Sequence, residues 1–484
     1  MSFTNLPKEI VICIAEDHLS DASDVFSLVL TCRLFANVLA ASVERHAFTK
    51  KYVKRAICVA AAHRKEDKLK VLVQKARELN ALDFIGDCPK CSDQGIVQFI
   101  MDQGANLAIL DFYRSGHGHP STLLHFAVWS LYAGTVEALL AKGANTEALG
   151  LDYLTTLQLA NSLKRIPLNR QNEIVRLLLE HGANADAESR WDIAPIAQAV
   201  SIGNAYQVRL MSPKNLSRRF RISSGNERWR LLDLAVDRGD IDIARALIEK
   251  GADPNMPNDI GTPLHYAARG GHLELAKLLL DKGALIDTRG SFARTPLHLA
   301  ISSGQEMVNL LLDRGASINL VDSNGLTALH SLVKGPGLPD SQLVRLLVER
   351  GADPAIQDSD GETVLHYAAQ KGCKATTELL LANGADTSVI NRTGQTALHH
   401  AARFSAVTTE ILLAAGAVVD ARDINGKTPL HHVSEDAKRA AHLLIEWGAD
   451  ATAKDLAGVS IPDWVLNETH PQTGKGEDEV KGET

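Results

Sequence analysis

Histidine is the side chain best suited to acid–base or metal chemistry at neutral pH, because its ring titrates near that pH. The chain has 18 histidines. Seven of them occupy the same place of a recurring phrase that reads TPLH in its full form: His125, His265, His298, His330, His366, His399 and His431. A catalytic site gathers different groups at one point, whereas these residues recur along the chain. We therefore expect a structural role, in which each imidazole joins hydrogen bonds between neighbouring loops.

A second candidate for chemistry is a pair of cysteines with the CxxC spacing of half a zinc site, Cys88 and Cys91. His117 and His119 follow about 26 residues later. Their HxH spacing differs from the second half of ordinary zinc sites, so a metal-dependent enzyme stays only as an alternative. The sequence contains no GxxxxGK(S/T) loop, GxSxG elbow or HExxH motif. We predict no enzyme activity and no cofactor.

Composition narrows the classes of partner. The net charge of −7 argues against broad nucleic-acid binding. The six cysteines are scattered and no secretory leader precedes them, which favours the cytoplasm or the nucleus. No apolar run reaches the 18 or so residues that a membrane helix needs. The sequence thus predicts a soluble intracellular protein without membrane contact.

The elements that position these residues repeat along the chain. One copy reads GTPLHYAARGGHLELAKLLLDKGA from Gly261. Thr262 can cap a helix and Pro263 suits its first turn, while Gly270 and Gly271 favour its end. Apolar residues then recur at helical spacing up to the closing Gly-Ala. The pattern predicts two short antiparallel helices that must stack on neighbouring copies to bury their apolar faces.

The phrase threonines are Thr262, Thr295, Thr327, Thr363, Thr396 and Thr428, at spacings of 33, 32, 36, 33 and 32 residues. The copies closely resemble the ankyrin repeat, whose period is 33 residues. This resemblance implies an all-α solenoid of helix-turn-helix units with short hairpin fingers. We count about twelve copies, of which six are strong. The predicted domains are an unrepeated leader (1–48), degenerate repeats (49–120), the main array (121–457, strong copies 262–457), a capping helix (458–470) and a disordered tail (471–484).

Ankyrin proteins usually bind ligands with finger tips and with the exposed ends of first helices, so the resemblance implies partner binding rather than turnover. The matching finger tips include Asn258, Asp259, Phe292, Asn324, Asp360, Arg392 and Asn425. The matching first-helix positions include Arg269, Ser302, Gln370, Lys371, Arg403 and Phe404. Phe292 and Phe404 are the sharpest candidates because an aromatic residue without a packing role can act as an anchor. Either ring could instead cover a neighbouring repeat.

A basic segment interrupts the array. It contains Arg209, Lys214, Arg218, Arg219, Arg221, Arg228 and Arg230 against a single acid, Glu227, with Phe220 and Trp229 between them. One interpretation is an elongated finger with a solvated charge run. The other is a docking site for an acidic peptide, a phosphorylated motif or nucleic acid.

The leader lacks the repeat phrases altogether. Its residues LPKEIVICIA, DVFSLVL and TCRLF resemble an F-box, the segment that docks on the Skp-type adaptor of cullin-RING ubiquitin ligases. The positions that match the family's docking residues are Leu6, Pro7, Ile10, Ile14 and Leu28. The link SDASD lacks the family's usual Leu-x-x-x-Asp-Leu rhythm. The same helices could instead only cap the array.

These observations favour a substrate-recognition adaptor of a cullin-RING ligase, in which the array binds the target and the leader binds the ligase. The alternative is an ankyrin scaffold without a ubiquitin role. We expect protein partners, and a monomer within a larger complex.

Overall fold

The computed structural model describes residues 122–129, 131, 133–150, 153–163, 167–187, 193–221, 228–462 and 464–465. The chain divides into two units, Met1–Leu234 and Ala235–Thr484. The described residues of both units form mainly short helices, so the predicted all-α repeat solenoid is confirmed. The one sheet among the described residues pairs two strands of two residues each.

The first unit contains helices α1 to α6 and both strands. Their bounds are α1 Leu123–Trp129, α2 Ala133–Ala141, α3 Thr156–Ser162, α4 Leu168–Glu180, α5 Pro195–Ser201, α6 Ala205–Leu210, β1 Phe220–Arg221 and β2 Arg228–Trp229. Helix α1 packs on α3 and α3 packs on α5, while α2 packs on α4 and α4 packs on α6. The weak copies of the phrase in this region therefore form stacked helix pairs. Helix α7, Leu231–Asp237, crosses the boundary between the units.

The second unit contains the strong repeats. Its helices are α8 Ile241–Glu249, α9 Pro263–Gly270, α10 Leu273–Asp281, α11 Pro296–Ala300, α12 Gln305–Asp313, α13 Ala328–Lys334, α14 Ser341–Glu349, α15 Val364–Lys371, α16 Lys374–Ala382, α17 Ala397–Phe404, α18 Ala406–Ala414 and α19 Lys438–Glu446. Short 3₁₀ turns occur at Ser291–Ala293, Pro429–His432 and Glu435–Ala437. The helix of the last phrase copy is thus only a 3₁₀ turn.

The helix boundaries follow the residues that the sequence singled out. Thr262 has extended backbone angles and forms a capping box with His265 before α9. Helix α9 ends at Gly271, whose φ of 70° lies in the left-handed region that glycine adopts without strain. The predicted start and end of the first helix are therefore confirmed.

The core is a stack of two helical layers. In the second unit, first helices pack on first helices, as α13 does on α15 and α15 on α17. Second helices pack on second helices, as α14 does on α16 and α16 on α18. Leu275, Leu278 and Leu279 of α10 are all buried between neighbours. Each such leucine contributes about 2 kcal/mol of apolar burial, which a helix of nine residues needs because it is marginal alone.

Candidate partner-binding surface

A finger is the loop that precedes a phrase threonine, and in five of the six strong repeats one side-chain oxygen of the finger accepts two main-chain hydrogen bonds. In the second unit Asp358 Oδ1 accepts from the N–H groups of Asp360 at 2.9 Å and Glu362 at 3.0 Å. Equivalent pairs are made by Asn258, Asp322, Asn391, Asp423 and Asp455. The sequence predictions did not include this role, although an Asp or Asn five residues before the threonine marks four of these positions.

Consecutive finger tips are joined by main-chain hydrogen bonds into a continuous line, here called the finger row. Ser359 N–H donates to the carbonyl of Asn324 at 2.9 Å, and Arg392 N–H donates to that of Asp360 at 3.0 Å. Equivalent bonds run from Ser291 to Ile260, from Ser323 to Phe292, from Ile424 to Thr393 and from Leu456 to Asn425. The finger row brings together all the predicted tip residues: Asn258, Asp259, Phe292, Asn324, Asp360, Arg392 and Asn425.

The last residues of the first helices form a second line, here called the helix-end row. Ser303 Oγ donates to the carbonyl of Arg269 at 2.9 Å, which links two neighbouring helix ends. A Cβ on Gly372 would lie 2.9 Å from Oγ of Ser405, so the ends of α15 and α17 lie side by side. The helix-end row contains the remaining predicted residues: Arg269, Ser302, Gln370, Lys371, Arg403 and Phe404.

The two aromatic candidates are exposed, one in each row. The Phe292 side chain is 69% exposed and that of Phe404 is 51% exposed. Arg294 lies over the Phe292 ring at 5.9 Å and Arg403 lies over the Phe404 ring at 5.2 Å. Each ring therefore has an arginine on one face and a large accessible area. This is the geometry of an apolar anchor beside a positive charge.

Asn258 and Lys371, two of the predicted residues, hydrogen-bond to main-chain groups of the array. Asn258 is half-buried, and its Oδ1 accepts from the N–H groups of Ile260 and Gly261. Lys371 is half-buried as well, and its Nζ donates to the carbonyls of Gly335 and, at 2.7 Å, Gly337. The amide of Asn258 shapes its finger, whereas the ammonium of Lys371 meets main-chain carbonyls and no carboxylate of the described residues.

The phrase histidines tie fingers together, as predicted. The N–H of Thr262 donates to Nδ1 of His265 at 3.0 Å, so the proton sits on Nε2, which donates to the carbonyl of Arg294 at 3.0 Å. His125, His298, His366 and His399 make the equivalent long-range bond. Burial lowers the pKa of His265, which keeps the ring neutral. His330 and His431 retain the bond to their threonine but make no hydrogen bond at Nε2 within the described part of the chain.

The second oxygen of the finger carboxylate is used differently from repeat to repeat. Tyr367 donates to Oδ2 of Asp358 at 2.5 Å and accepts from Nζ of Lys334 at 2.6 Å. Burial, followed by the bond to Asp358, raises the pKa of Tyr367 well above its usual range. In a later repeat Oδ2 of Asp423 lies 2.9 Å from Nε2 of His432. These contacts lock the fingers to the first helices.

The basic segment of the first unit folds as a small hairpin. Strand β1 pairs antiparallel with β2, with Phe220 opposite Trp229. Phe220 is buried, so its ring packs within the unit. Arg218 lies over the Phe220 ring at 5.7 Å. Packing of Phe220 thus supports one end of the basic segment.

Several predicted residues lie outside the described part of the chain. These are the adaptor-binding residues Leu6, Pro7, Ile10, Ile14 and Leu28 and the cysteine–histidine set Cys88, Cys91, His117 and His119. Among the residues that the structure describes, no group of three His, Cys, Asp or Glu side chains could hold a metal ion. None of the described helices is long and apolar enough to cross a membrane.

Two rows of exposed side chains on a stacked helical array define a repeat protein that presents a binding surface. Residues 163–258, 234–322, 315–391 and 374–455 match the family described as ankyrin repeats (3 copies). These segments cover more than half of the sequence, and the chain belongs to the ankyrin-repeat family. Ankyrin repeats indicate a role in protein–protein interaction. No F-box is detected in the chain, and no curated protein matches it.

Proposed function

We propose that this protein recognises a protein target through its finger row and helix-end row and presents it to a cullin-RING ubiquitin ligase. Recognition of a protein target is supported by the hydrogen-bonded finger row, because this row holds exposed tip side chains at fixed spacing over several repeats. Pre-organised side chains lose little entropy when a partner binds. The protein itself performs no catalysis in this scheme; the ligase's other subunits do.

The second half of the proposal rests on the leader. Leu6, Pro7, Ile10, Ile14 and Leu28 match the docking positions of an F-box and would bind a Skp-type adaptor. The alternative function is an ankyrin scaffold in which the leader only caps the array. The two alternatives differ in whether an apolar surface of the leader receives a partner.

Target binding is tested by comparing the proteins retained by the wild-type chain and by Arg403→Ala with Phe404→Ala. The matched control is Arg345→Ala, which removes an exposed arginine from the second helix α14. We expect the double variant to lose a defined set of retained proteins, because truncating an anchor and its neighbouring charge costs about 2 kcal/mol or more of binding. Identical sets for the double variant and the control would exclude this surface.

Adaptor binding is tested separately with purified Skp-type adaptor. We expect the wild-type chain to retain the adaptor and the double variant Leu6→Asp with Ile10→Asp to lose it, since a charge in an apolar interface is left unpaired. The same variant should keep the target set of the wild type. If the wild-type chain does not retain the adaptor, the scaffold function stands and the ligase role is excluded.

A further inference from the structure

Charge is segregated between the two helical layers of the strong repeats. The first helices α9, α11, α13, α15 and α17 contain no Asp or Glu. Four of them carry a cation in their last turn: Arg269, Lys334, Lys371 and Arg403. Each of the second helices α10, α12, α14, α16 and α18 contains at least one Glu. The helix-end row is thus the basic side of the array.

The helix dipole accounts for only part of this pattern. A cation near a helix C-terminus is stabilising by about 0.3–1 kcal/mol. The second helices show the same preference, since Lys282, Arg314 and Arg350 follow their last residues directly. Those helices nevertheless contain acids. The dipole therefore explains the cations at both kinds of helix end but not the absence of acids from the first helices.

The cations are neutralised at one end of the helix-end row and not at the other. Arg269 pairs with Asp237 at 2.8 Å, and Lys334 lies 3.6 Å from Asp358. Lys371 donates to main-chain carbonyls. In the described part of the chain Arg403 has a ring contact with Phe404 and no carboxylate partner. The cations of this row that have no carboxylate within ion-pair distance among the described residues are therefore at the ends of α15 and α17.

A third cation faces the same repeat from the finger row. Arg392 is exposed at the tip of the finger that leads into α17, and it has no carboxylate partner among the described residues. Helix α17 has eight residues and is about 12 Å long, and Arg392 lies in the finger before it, so a peptide that reaches from this finger to the helix end spans at least that length. An extended peptide spans that distance with about four residues. The exposed ring of Phe404 lies at the helix end of this span.

We propose that Lys371, Arg392, Arg403 and Phe404 form a site for an acidic peptide segment of the target, with carboxylates on the three cations and an apolar side chain on Phe404. The proposal rests on the proposed function, because it names the chemistry of a partner that this surface binds. We call these four residues the acidic-peptide site. Arg392 and Arg403 are exposed and Lys371 is half-buried, and cations held at fixed spacing favour carboxylates at matching spacing.

Neighbouring acids favour a peptide over nucleic acid. Asp360 is exposed beside Arg392 in the finger row, and Glu435 and Asp436 are exposed in the turn after the last phrase. A nucleic-acid strand carries a charge at every phosphate and would be repelled by these carboxylates, whereas a peptide can place its charges individually. The net charge of −7 adds to this repulsion.

The test is selection of random 12-residue peptides displayed on phage against the full-length chain. We expect the selected peptides to be enriched in Asp and Glu with a bulky apolar residue. The best of them, made synthetically with a fluorophore, should bind the double variant Arg392→Glu with Arg403→Glu at least about tenfold more weakly in anisotropy titrations. The control Arg345→Glu, the same charge change on α14, should differ from wild type by less than about twofold.

Three results would overturn the proposal. Selected peptides without enrichment in Asp and Glu would show that the site does not recognise acidic peptides. The proposed function would still be supported in that case if the variant Arg403→Ala with Phe404→Ala loses targets. Acidic peptides that bind the double variant as tightly as wild type would show that they bind at another surface. The basic hairpin of the first unit would then be tested next. Displacement of the peptide by a 20-nucleotide single-stranded DNA would assign the surface to nucleic acid.

Discussion

Two glycines of the strong repeats allow the energetic cost of a strained backbone to be measured separately from the cost of a close contact between fingers. Gly361 has a φ of 79°, and a Cβ there would lie 2.9 Å from the main-chain nitrogen of Arg392 in the next finger. Gly384 has a φ of 83° and nothing within 4 Å of its would-be Cβ. Both glycines therefore use the left-handed region, but only Gly361 is also pressed against a neighbour. The pair Gly361→Ala and Gly384→Ala isolates the cost of the contact.

The expected losses in the free energy of unfolding follow from the left-handed backbone and from the contact with the next finger. Placing alanine in the left-handed region costs about 1–2 kcal/mol, so we expect that loss for Gly384→Ala. Gly361→Ala adds overpacking, which costs about 1–3 kcal/mol. It also disturbs the hydrogen bond from Arg392 N–H to the carbonyl of Asp360, worth about 1 kcal/mol. We expect Gly361→Ala to be the more destabilising by about 2 kcal/mol.

The assay is urea unfolding followed by helical circular dichroism, with the wild-type chain and both variants measured together. For an unfolding slope of about 2 kcal/mol per molar urea, the two variants should differ by about 1 M in midpoint. Because repeat arrays can unfold in parts, amide hydrogen exchange in the fingers should show the same order. Equal destabilisation by the two substitutions would refute the argument that fingers touch through their backbones.

Two further predictions concern the buried polar groups. Burial lowers the pKa of His399 in the folded protein from 6.5 to about 4. Below pH 6.5 the unfolded chain therefore takes up a proton that the folded protein does not bind. The free energy of unfolding is unaffected by this residue above pH 6.5 and falls as the pH decreases towards 4. That loss is about 3 kcal/mol, and His399→Gln should therefore flatten the fall in unfolding midpoint between pH 7 and pH 5; an unchanged pH profile would contradict the assignment. Tyr367→Phe leaves Oδ2 of Asp358 and Nζ of Lys334 without their shared hydroxyl, which should cost about 1–3 kcal/mol in urea unfolding at pH 7. The exposed Phe404→Ala should change stability by less than about 0.5 kcal/mol, and a similar loss in both variants would argue against the buried hydroxyl's role.

The sequence predicted the helices well because their boundaries depend on neighbouring residues. A cap such as Thr262 and a left-handed glycine such as Gly271 act within one or two helical turns, so their effect can be deduced from the order of residues alone. The recurrence of the phrase then predicted the stacking. The role of the histidines followed for the same reason, since one residue per repeat on a buried phrase indicates a shared packing duty.

The hydrogen-bond partners and the burial of individual side chains were less predictable. Asn258 and Lys371 occupy the predicted rows, but their polar atoms are engaged by main-chain groups. Phe220 lies among cations in the sequence, yet its ring is buried. The partners of Lys371 lie 34 and 36 residues earlier, in another repeat. The order of residues within one repeat does not reveal such partners.

The sequence by itself thus determined the family, the helical layers and the positions that lie in the finger row and the helix-end row. Only the tertiary structure decided which cations of those positions are neutralised. Arg269 meets Asp237 across a repeat boundary, whereas Arg403 meets the Phe404 ring beside it. The physical reason is that an ion pair depends on the distance between groups about one repeat apart, and this distance is set by how the repeats stack.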